Sequence, residues 1–221
     1  MSARAESTGF LYPFIESEER DSSSLLSALA TSAEEKIIES RLLRADSLER
    51  CTDVLAQAGA AMANRFRNGG RLFAFGNGGS ATDAEGTTHL FRHPPNGRAL
   101  PALSLVDDRA VLTALANDVG YELVFSRQII AHARPGDIAV GFSTSGDSAN
   151  MLSAFEEAAR RGLLTVGLCG YERAAMAQSD AVHHCLVVAS ESVHRIQEAQ
   201  DALMLELWSI VQRQLDQGEV T

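Results

Sequence analysis

The sequence predicts an α/β domain built on a doubly wound parallel sheet of five strands flanked by helices, and three observations predict it. Short apolar runs alternate with longer segments of helical periodicity, the order that gives parallel strands joined by right-handed crossovers. Two of the apolar runs empty into glycine- or serine-rich turns at the head of a helix. The chain has 221 residues, enough for one such domain and its core, with no room for a second beside it.

Residues 1–21 read as an N-terminal arm carrying an apolar island, Phe10-Leu11-Tyr12-Pro13-Phe14-Ile15, in which Pro13 disfavours a regular helix. Such an island packs either on its own domain or on a neighbouring subunit. From Ser22 the chain turns helical, with Leu25, Leu26, Leu29, Ala33, Ile37 and Ile38 at helical spacing. A second helix is expected over residues 46–68, closed by Asn68-Gly69-Gly70. Residues 22–68 therefore form a helical element with more apolar surface than a small sheet covers, which suits oligomerisation. Residues 69–215 form the α/β core and 216–221 a tail, with the charged stretch from Gln212 onward read as a solvated end.

Within the core, Leu72-Phe73-Ala74-Phe75 reads as a buried strand running into Gly76-Asn77-Gly78-Gly79 and a helix opened by Ser80 and reaching about Phe91. Next come the turn His93-Pro94-Pro95-Asn96-Gly97, a strand over 101–106, a helix over 108–116 and another over 122–133, stopped by Arg134-Pro135-Gly136. A strand over 137–142 leads into Ser143-Thr144-Ser145-Gly146-Asp147-Ser148 and a helix over 151–161. Strands over 164–168 and 182–188, a short helix over 173–178 and a final helix from about His194 to Leu215 complete the order.

Both glycine- and serine-rich turns are candidate anion sites, because a helix start leaves several backbone N–H groups aimed at one spot with the positive end of the helix dipole behind them. The first lacks the Gly-Lys-Ser/Thr ending of a Walker loop and the Gly-x-Gly-x-x-Gly of a dinucleotide site. The second offers four hydroxyls, at Ser143, Thr144, Ser145 and Ser148, where one helix cap needs one. The surplus favours a phosphate ligand gripped by hydroxyls and N–H groups without lysine. In a parallel sheet both turns fall at the carboxyl ends of strands, where ligands lie.

Composition excludes other classes. A net charge of −10 disfavours a broad nucleic-acid-binding surface. Cys51, Cys169 and Cys185 lack Cys-x-x-Cys spacing, so neither a disulfide framework nor a cysteine zinc site is indicated. The N-terminus lacks a secretory pattern and no apolar run is long enough to span a bilayer, so the expectation is a cytoplasmic protein without a membrane partner.

Gly76-Asn77-Gly78-Gly79-Ser80, Ala116-Asn117-Asp118, Ser143-Thr144-Ser145-Gly146-Asp147-Ser148 and Arg195-Ile196-Gln197-Glu198, in this order, resemble the SIS (sugar isomerase) domain of phosphoheptose isomerases, a Rossmann-like fold. The same subgroup contains replication-initiator-associating proteins not known as isomerases. The resemblance implies a homotetramer built by the N-terminal helices and a phosphorylated sugar as ligand. It places Ser80, Ser143, Thr144, Ser145 and Ser148 on phosphate, and Asn77, Gly78, Gly79, Asn117, Asp118 and Gln197 with the substrate.

The family's isomerisation moves a proton between adjacent carbons through an enediol, which needs a base, an acid and often a cation. The resemblance implies a glutamate and two histidines for this, able with a glutamine to bind zinc. At those positions this chain has Gly86 and Leu90, counted from Ser80, and Leu205, counted from Gln197; His194 replaces the aspartate before Arg195. The usual zinc ligands are thus mostly missing, although Gln197 is kept. Other candidates for a relocated acid/base set are Glu85, His89, His194 and Glu198. Glu85, His89 and His93 also share one helix face, so His89 and His93 are candidate metal ligands, although Pro94 disfavours helix at His93. The alternative for these histidines is a helix end or subunit contact. Three functions remain open: a sugar-phosphate-binding protein without the standard chemistry, an aldose-ketose isomerase with a relocated site, or an interaction protein with a protein partner.

Overall fold

The computed structural model describes residues 22–217, and the Phe10 to Ile15 island and the last residues of the tail lie outside them. The chain divides into two units, residues 1–41 and 42–221. In the first, the described residues are helical and leave Leu26, Leu29, Ile37 and Ile38 exposed. The helix containing them, α1 (Ser22–Arg50), runs past the expected boundary at Asp46, because nothing between Glu39 and Arg50 interrupts helical propensity. The break falls at Cys51, and α2 follows (Thr52–Arg67).

In the second unit the elements alternate as the sequence predicts: β1 (Leu72–Gly76), α3 (Gly79–Arg92), β2 (Ala102–Ser104), α4 (Arg109–Asp118), a 3-10 turn (Tyr121–Leu123), α5 (Val124–His132), β3 (Ile138–Ser143), α6 (Ala149–Arg160), β4 (Leu164–Cys169), α7 (Ala175–Gln178), β5 (His184–Val187) and α8 (Val193–Gln217). The five strands are all parallel in the order β2-β1-β3-β4-β5. β2 is shorter than expected, because Leu105 and Val106 leave the strand while remaining buried.

Side-chain alternation divides the core into two layers. Leu72 and Ala74 of β1, with Ile138 and Val140 of β3, face α2, α3 and α8, where Met62, Phe91, Leu203 and Leu207 meet them. Phe73 and Phe75 face the opposite side, where the Phe75 ring lies 5.4 Å from that of Phe125 and 5.2 Å from that of Phe155. Burial on both faces explains why these strands read as continuous apolar runs. At the amino ends of the strands, the fully buried carboxylate of Asp137 accepts from the Arg71 N–H (2.8 Å), the Arg71 guanidinium (2.9 Å) and the Arg134 N–H (3.0 Å), joining β1 to β3.

The stretch read as a solvated end is corrected by the packing of α8. Leu215 and Gln212 are buried, since they continue the stripe set by Leu207 and Val211. The Gln212 amide also clamps the backbone of Arg98, accepting from its N–H (2.9 Å) and donating to its carbonyl (3.0 Å). Cys51 and Cys169 are buried and Cys185 half-buried, and all three are free thiols. Among the described residues no helix is long and apolar enough to cross a membrane.

Candidate functional site

The strand order reverses between β1 and β3, and the site is built there. Because Gly76 pairs with Phe142, the turns that follow the two strands leave the sheet side by side. In the first turn, Gly76 lets α3 return close to the strand: a Cβ there would sit 2.3 Å from the Ser80 carbonyl oxygen. Ser80 is buried at the head of α3. In the second turn, Gly146 takes a positive φ of 71°, and a Cβ on it would lie 2.5 Å from Ala174 Cβ. The Ser143 hydroxyl accepts from the Gly146 N–H (3.0 Å) and the Ser145 hydroxyl from the Asp147 N–H (3.3 Å), which shapes the loop around its own amides. Ser148 stands at the N-cap of α6 but makes no side-chain capping bond, so capping does not account for its hydroxyl.

A reciprocal amide pair fastens the two turns together. Asn77 donates to Asn150 Oδ1 and Asn150 donates to Asn77 Oδ1, both at 2.9 Å, and Asn150 is buried. The Tyr121 hydroxyl also donates to Asn77 Oδ1 (2.9 Å). Sequence reasoning missed Asn150 and Tyr121. A polar residue on the buried face of α6 was the one signal for Asn150. Asn117 and Asp118 close α4 just before Tyr121, exposed and hydrogen-bonded to each other at 2.7 Å. Three bonds tie the second turn to the segment after β4: Gly170 N–H to the Thr144 carbonyl (3.0 Å), Ala175 N–H to Asp147 Oδ1 (2.7 Å) and Met176 N–H to the Gly146 carbonyl (3.0 Å).

Facing the first turn, α8 supplies Gln197, whose amide fills the space where Gly79 would carry a Cβ, 2.4 Å away. Gln197 Nε2 donates to Asp83 Oδ2 (3.2 Å). Burial pushes the Asp83 carboxyl up from its ordinary 3.8 to about 6, opposed by the Gln197 hydrogen bond and reinforced by the nearby charge of Asp201. Asp201 is itself raised, by burial first, with Arg44 pulling it down and Glu198 pushing it up. Helical spacing gathers Asp83, Gly86 and Leu90 along one stripe of α3, and Gln197, Asp201 and Leu205 along one stripe of α8. Asp83 was not singled out from sequence, although it lies one turn past Ser80.

Gly86, Leu90 and Leu205, the positions where the resemblance leads one to expect a catalytic set, carry no acid, base or metal-ligating side chain. Gly86 is exposed with open space where a Cβ would project, Leu90 packs on the core, and Leu205 is 53% exposed. None offers a metal ligand beside Gln197, and among the described residues no group of three or more His, Cys, Asp or Glu side chains is placed to hold a metal ion. The donor set therefore does not fit zinc. Of the other candidates, Glu198 pairs with Arg195 and with Arg44 (3.9 Å), and His194 is exposed in the first turn of α8. Glu85, His89 and His93 lie along α3, where the two imidazole rings approach to 5.1 Å and border a cavity of about 500 Å³ that Gly86 also lines.

A parallel sheet with hydroxyl-bearing turns at its switch point is the architecture of this chain, and the SIS-domain family model matches residues 35–170. The chain belongs to the SIS-domain family. Within that family its relatives include phosphoheptose isomerases. The protein of that name from Chlorobaculum tepidum is 37% identical over 185 residues, covering 82% of this chain and 88% of its own length. The one from Roseiflexus sp. (strain RS-1) is 43% identical over 152 residues, or 68% of this chain and 76% of that protein. Among solved structures, a phosphoheptose isomerase from Francisella tularensis superposes with a TM-score of 0.77 at 28% identity, over 83% of this chain and 98% of that one. Another, from Neisseria gonorrhoeae, gives 0.75 at 32% identity, over 82% and 98%.

Proposed function

We propose that this SIS-domain protein binds a phosphorylated sugar of the phosphoheptose type and holds it without the proton-transfer set of its relatives. The observation that carries the reading is the Asn77–Asn150 amide pair, which fixes the Ser80 turn and the Ser143 to Ser148 loop to each other at the switch point. Hydroxyls and free N–H groups from both then grip one phosphoryl group, while Gln197 meets the sugar from α8. Gly86, Leu90 and Leu205 leave the enediol chemistry without its usual base, acid and cation.

The test is thermal unfolding with sedoheptulose 7-phosphate as probe. At a hundred times the dissociation constant the ligand adds about 2.7 kcal/mol of stability, an upward shift that Ser145→Ala with Ser148→Ala removes. No shift in the parent protein, or an equal shift in the double variant, ends the reading.

One observation favours a second reading, an aldose-ketose isomerase with relocated proton carriers. Asp83, hydrogen-bonded to Gln197, has a carboxyl held at about 6, close to where a general acid or base works best. Proton exchange into sedoheptulose 7-phosphate from deuterated water, lost in Asp83→Asn and unaffected by alanine at Glu85, His89, His194 or Glu198, distinguishes this from simple binding. The same proposal includes a homotetramer, supported by the exposed apolar side chains of α1, and a cytoplasmic site of action, where sugar phosphates are made.

A further inference from the structure

Cys169 and Cys185 form a dithiol beneath the Ser143 to Ser148 loop. The pairing of β4 with β5 sets Gly167 opposite Cys185 and Cys169 opposite Val187, so the two cysteines stand two residues apart in register on one face of the sheet. Their sulfurs lie 3.7 Å apart, and either thiol can donate to the other. Cys169 is buried and Cys185 half-buried, so the pair meets solvent at Cys185. Cys51 stands aside, donating to the Val187 carbonyl (3.7 Å), and burial pushes its thiol up. In Cys169 the balance is reversed, because the hydrogen bond with Cys185 outweighs burial and draws the thiol down, while the same bond raises Cys185. One proton therefore serves both sulfurs once the other is lost.

Cys169 is also a floor residue of the loop. It is the register partner of Ser143 across β3 and β4. A Cβ on Gly146 would lie 3.0 Å from Cys169 Cβ and 3.6 Å from its sulfur, so Gly146 rests directly on this side chain. The next residue, Gly170, holds the Thr144 carbonyl, and the Cys169 carbonyl accepts from the Val188 N–H (2.8 Å). A displacement of Cys169 thus reaches the loop through packing and through the backbone. A disulfide needs its sulfurs about 2.0 Å apart. Because the two residues are offset in register, closing that gap draws the end of β4 toward β5 and takes the support from under Gly146.

We propose that Cys169 and Cys185 are a redox site, closed to a disulfide by a hydroperoxide, and that the closed form loosens the Ser143 to Ser148 loop and weakens its hold on an anion. The bond itself is independent of the function proposed for the crevice; its effect on a ligand rests on that reading. The shared proton moves to Cys169 and leaves the thiolate on Cys185, the sulfur that solvent reaches. That thiolate attacks one peroxide oxygen, the O–O bond breaks, and Cys185 becomes a sulfenic acid while the departing alkoxide takes a proton from water. The Cys169 sulfur then attacks the Cys185 sulfur, and the S–S bond forms as the S–O bond breaks. The hydroxide released leaves as water with the Cys169 proton. Two thiols have given up two electrons and two protons, and the hydroperoxide is reduced to an alcohol and water.

The full chain is treated with hydrogen peroxide and its thiols are counted in denaturant. The count should fall from three to one in the parent and from two to none in Cys51→Ala, with peptide mapping joining Cys169 to Cys185. Dithiothreitol should restore both counts, and Cys185→Ala, or Cys185→Ser if alanine does not fold, should form no bond. By calorimetry, sedoheptulose 7-phosphate should bind the oxidised parent at least tenfold more weakly than the reduced one, a loss that dithiothreitol reverses and the Cys185 variant does not show. Amide hydrogen exchange from Ser145 to Asp147 should be at least tenfold faster in the oxidised parent. A count that stays at three overturns the proposal, as does a bond from Cys51 to either partner. A Cys169 to Cys185 bond that leaves exchange in the loop unchanged overturns it too. If the reduced parent does not bind the probe, the crevice reading alone fails, and the thiol counts and loop exchange still decide the redox site.

Discussion

Replacing Asp83 by asparagine should make the protein more stable at pH 8 and leave it nearly unchanged at pH 4. The folded state holds the Asp83 carboxyl at about 6 against an ordinary 3.8, so folding favours its neutral form. Well below pH 3.8 the group is protonated in both folded and unfolded chains and has no effect, and at pH 4 only a small part of the effect is present. As pH rises toward 6 the unfolded chain releases its proton first, and above 6 the folded protein carries a charge that it shelters badly. At 1.36 kcal/mol for each factor of ten in proton affinity, the largest possible cost is about 3 kcal/mol. Asp83 is only half-buried, and solvent screening reduces this to about 1–1.5 kcal/mol. Asparagine stays neutral throughout, and its Oδ1 still accepts from Gln197. Urea unfolding of both proteins at pH 4 and pH 8, at one protomer concentration, reads the difference directly. A gain of the same size at both pH values, or a loss at pH 8, refutes the reasoning. Asp201→Asn should reduce the effect without abolishing it, because burial is the larger cause and the Asp201 charge the smaller.

Two further predictions concern the crevice and a third concerns α1. Asn77→Ala strands the buried Asn150 amide, so it should cost about 1–3 kcal/mol in urea unfolding and weaken sedoheptulose 7-phosphate at least tenfold; unchanged affinity would falsify the role given to the amide pair. Restoring the family's side chains with Gly86→His, Leu90→Glu and Leu205→His should create a stoichiometric zinc site, measured by competition with a chromophoric chelator, because there is room at Gly86 and Leu205 is exposed. A triple variant that binds no more zinc than the parent contradicts the assignment of those positions. On α1, Leu29→Asp with Ile37→Asp should lower the sedimentation coefficient from that of an oligomer to that of a single chain, and an unchanged coefficient removes α1 from the interface.

The strand-turn-helix units were legible because their signals are local. Alternation at Leu72 to Phe75, the glycines that follow, and the hydroxyl surplus from Ser143 to Ser148 all lie within a few residues of the structure they encode. The boundary between α1 and α2 was not, because no glycine, proline or cap marks Cys51, and Asp46 resembles a helix start as well as a helix interior. The Gln212 clamp on Arg98 and the Asn77–Asn150 pair each join residues far apart in the chain, and amides announce no partner in one dimension.

Asp83 belongs to the same group, and it bears on function more directly than the missing histidines do. Its carboxylate opposes folding above pH 6, so stability gives no reason for its position. Among the described residues its carboxylate accepts from Gln197, the side chain that closes over Gly79 in the first turn. That bond uses Gln197 Nε2 and orients the amide, so that its carbonyl oxygen is the atom the proposed sugar contact would use. An acid that weakens the fold while orienting a ligand contact is best explained by what the crevice holds. The same carboxyl, neutral at pH 5 and charged at pH 8, should then tie sugar binding to pH. The dissociation constant for sedoheptulose 7-phosphate should change across pH 5–8 in the parent and change less in Asp83→Asn, the probe's own phosphate titration being common to both. Parallel profiles for parent and Asp83→Asn would show that Asp83 and the crevice are uncoupled.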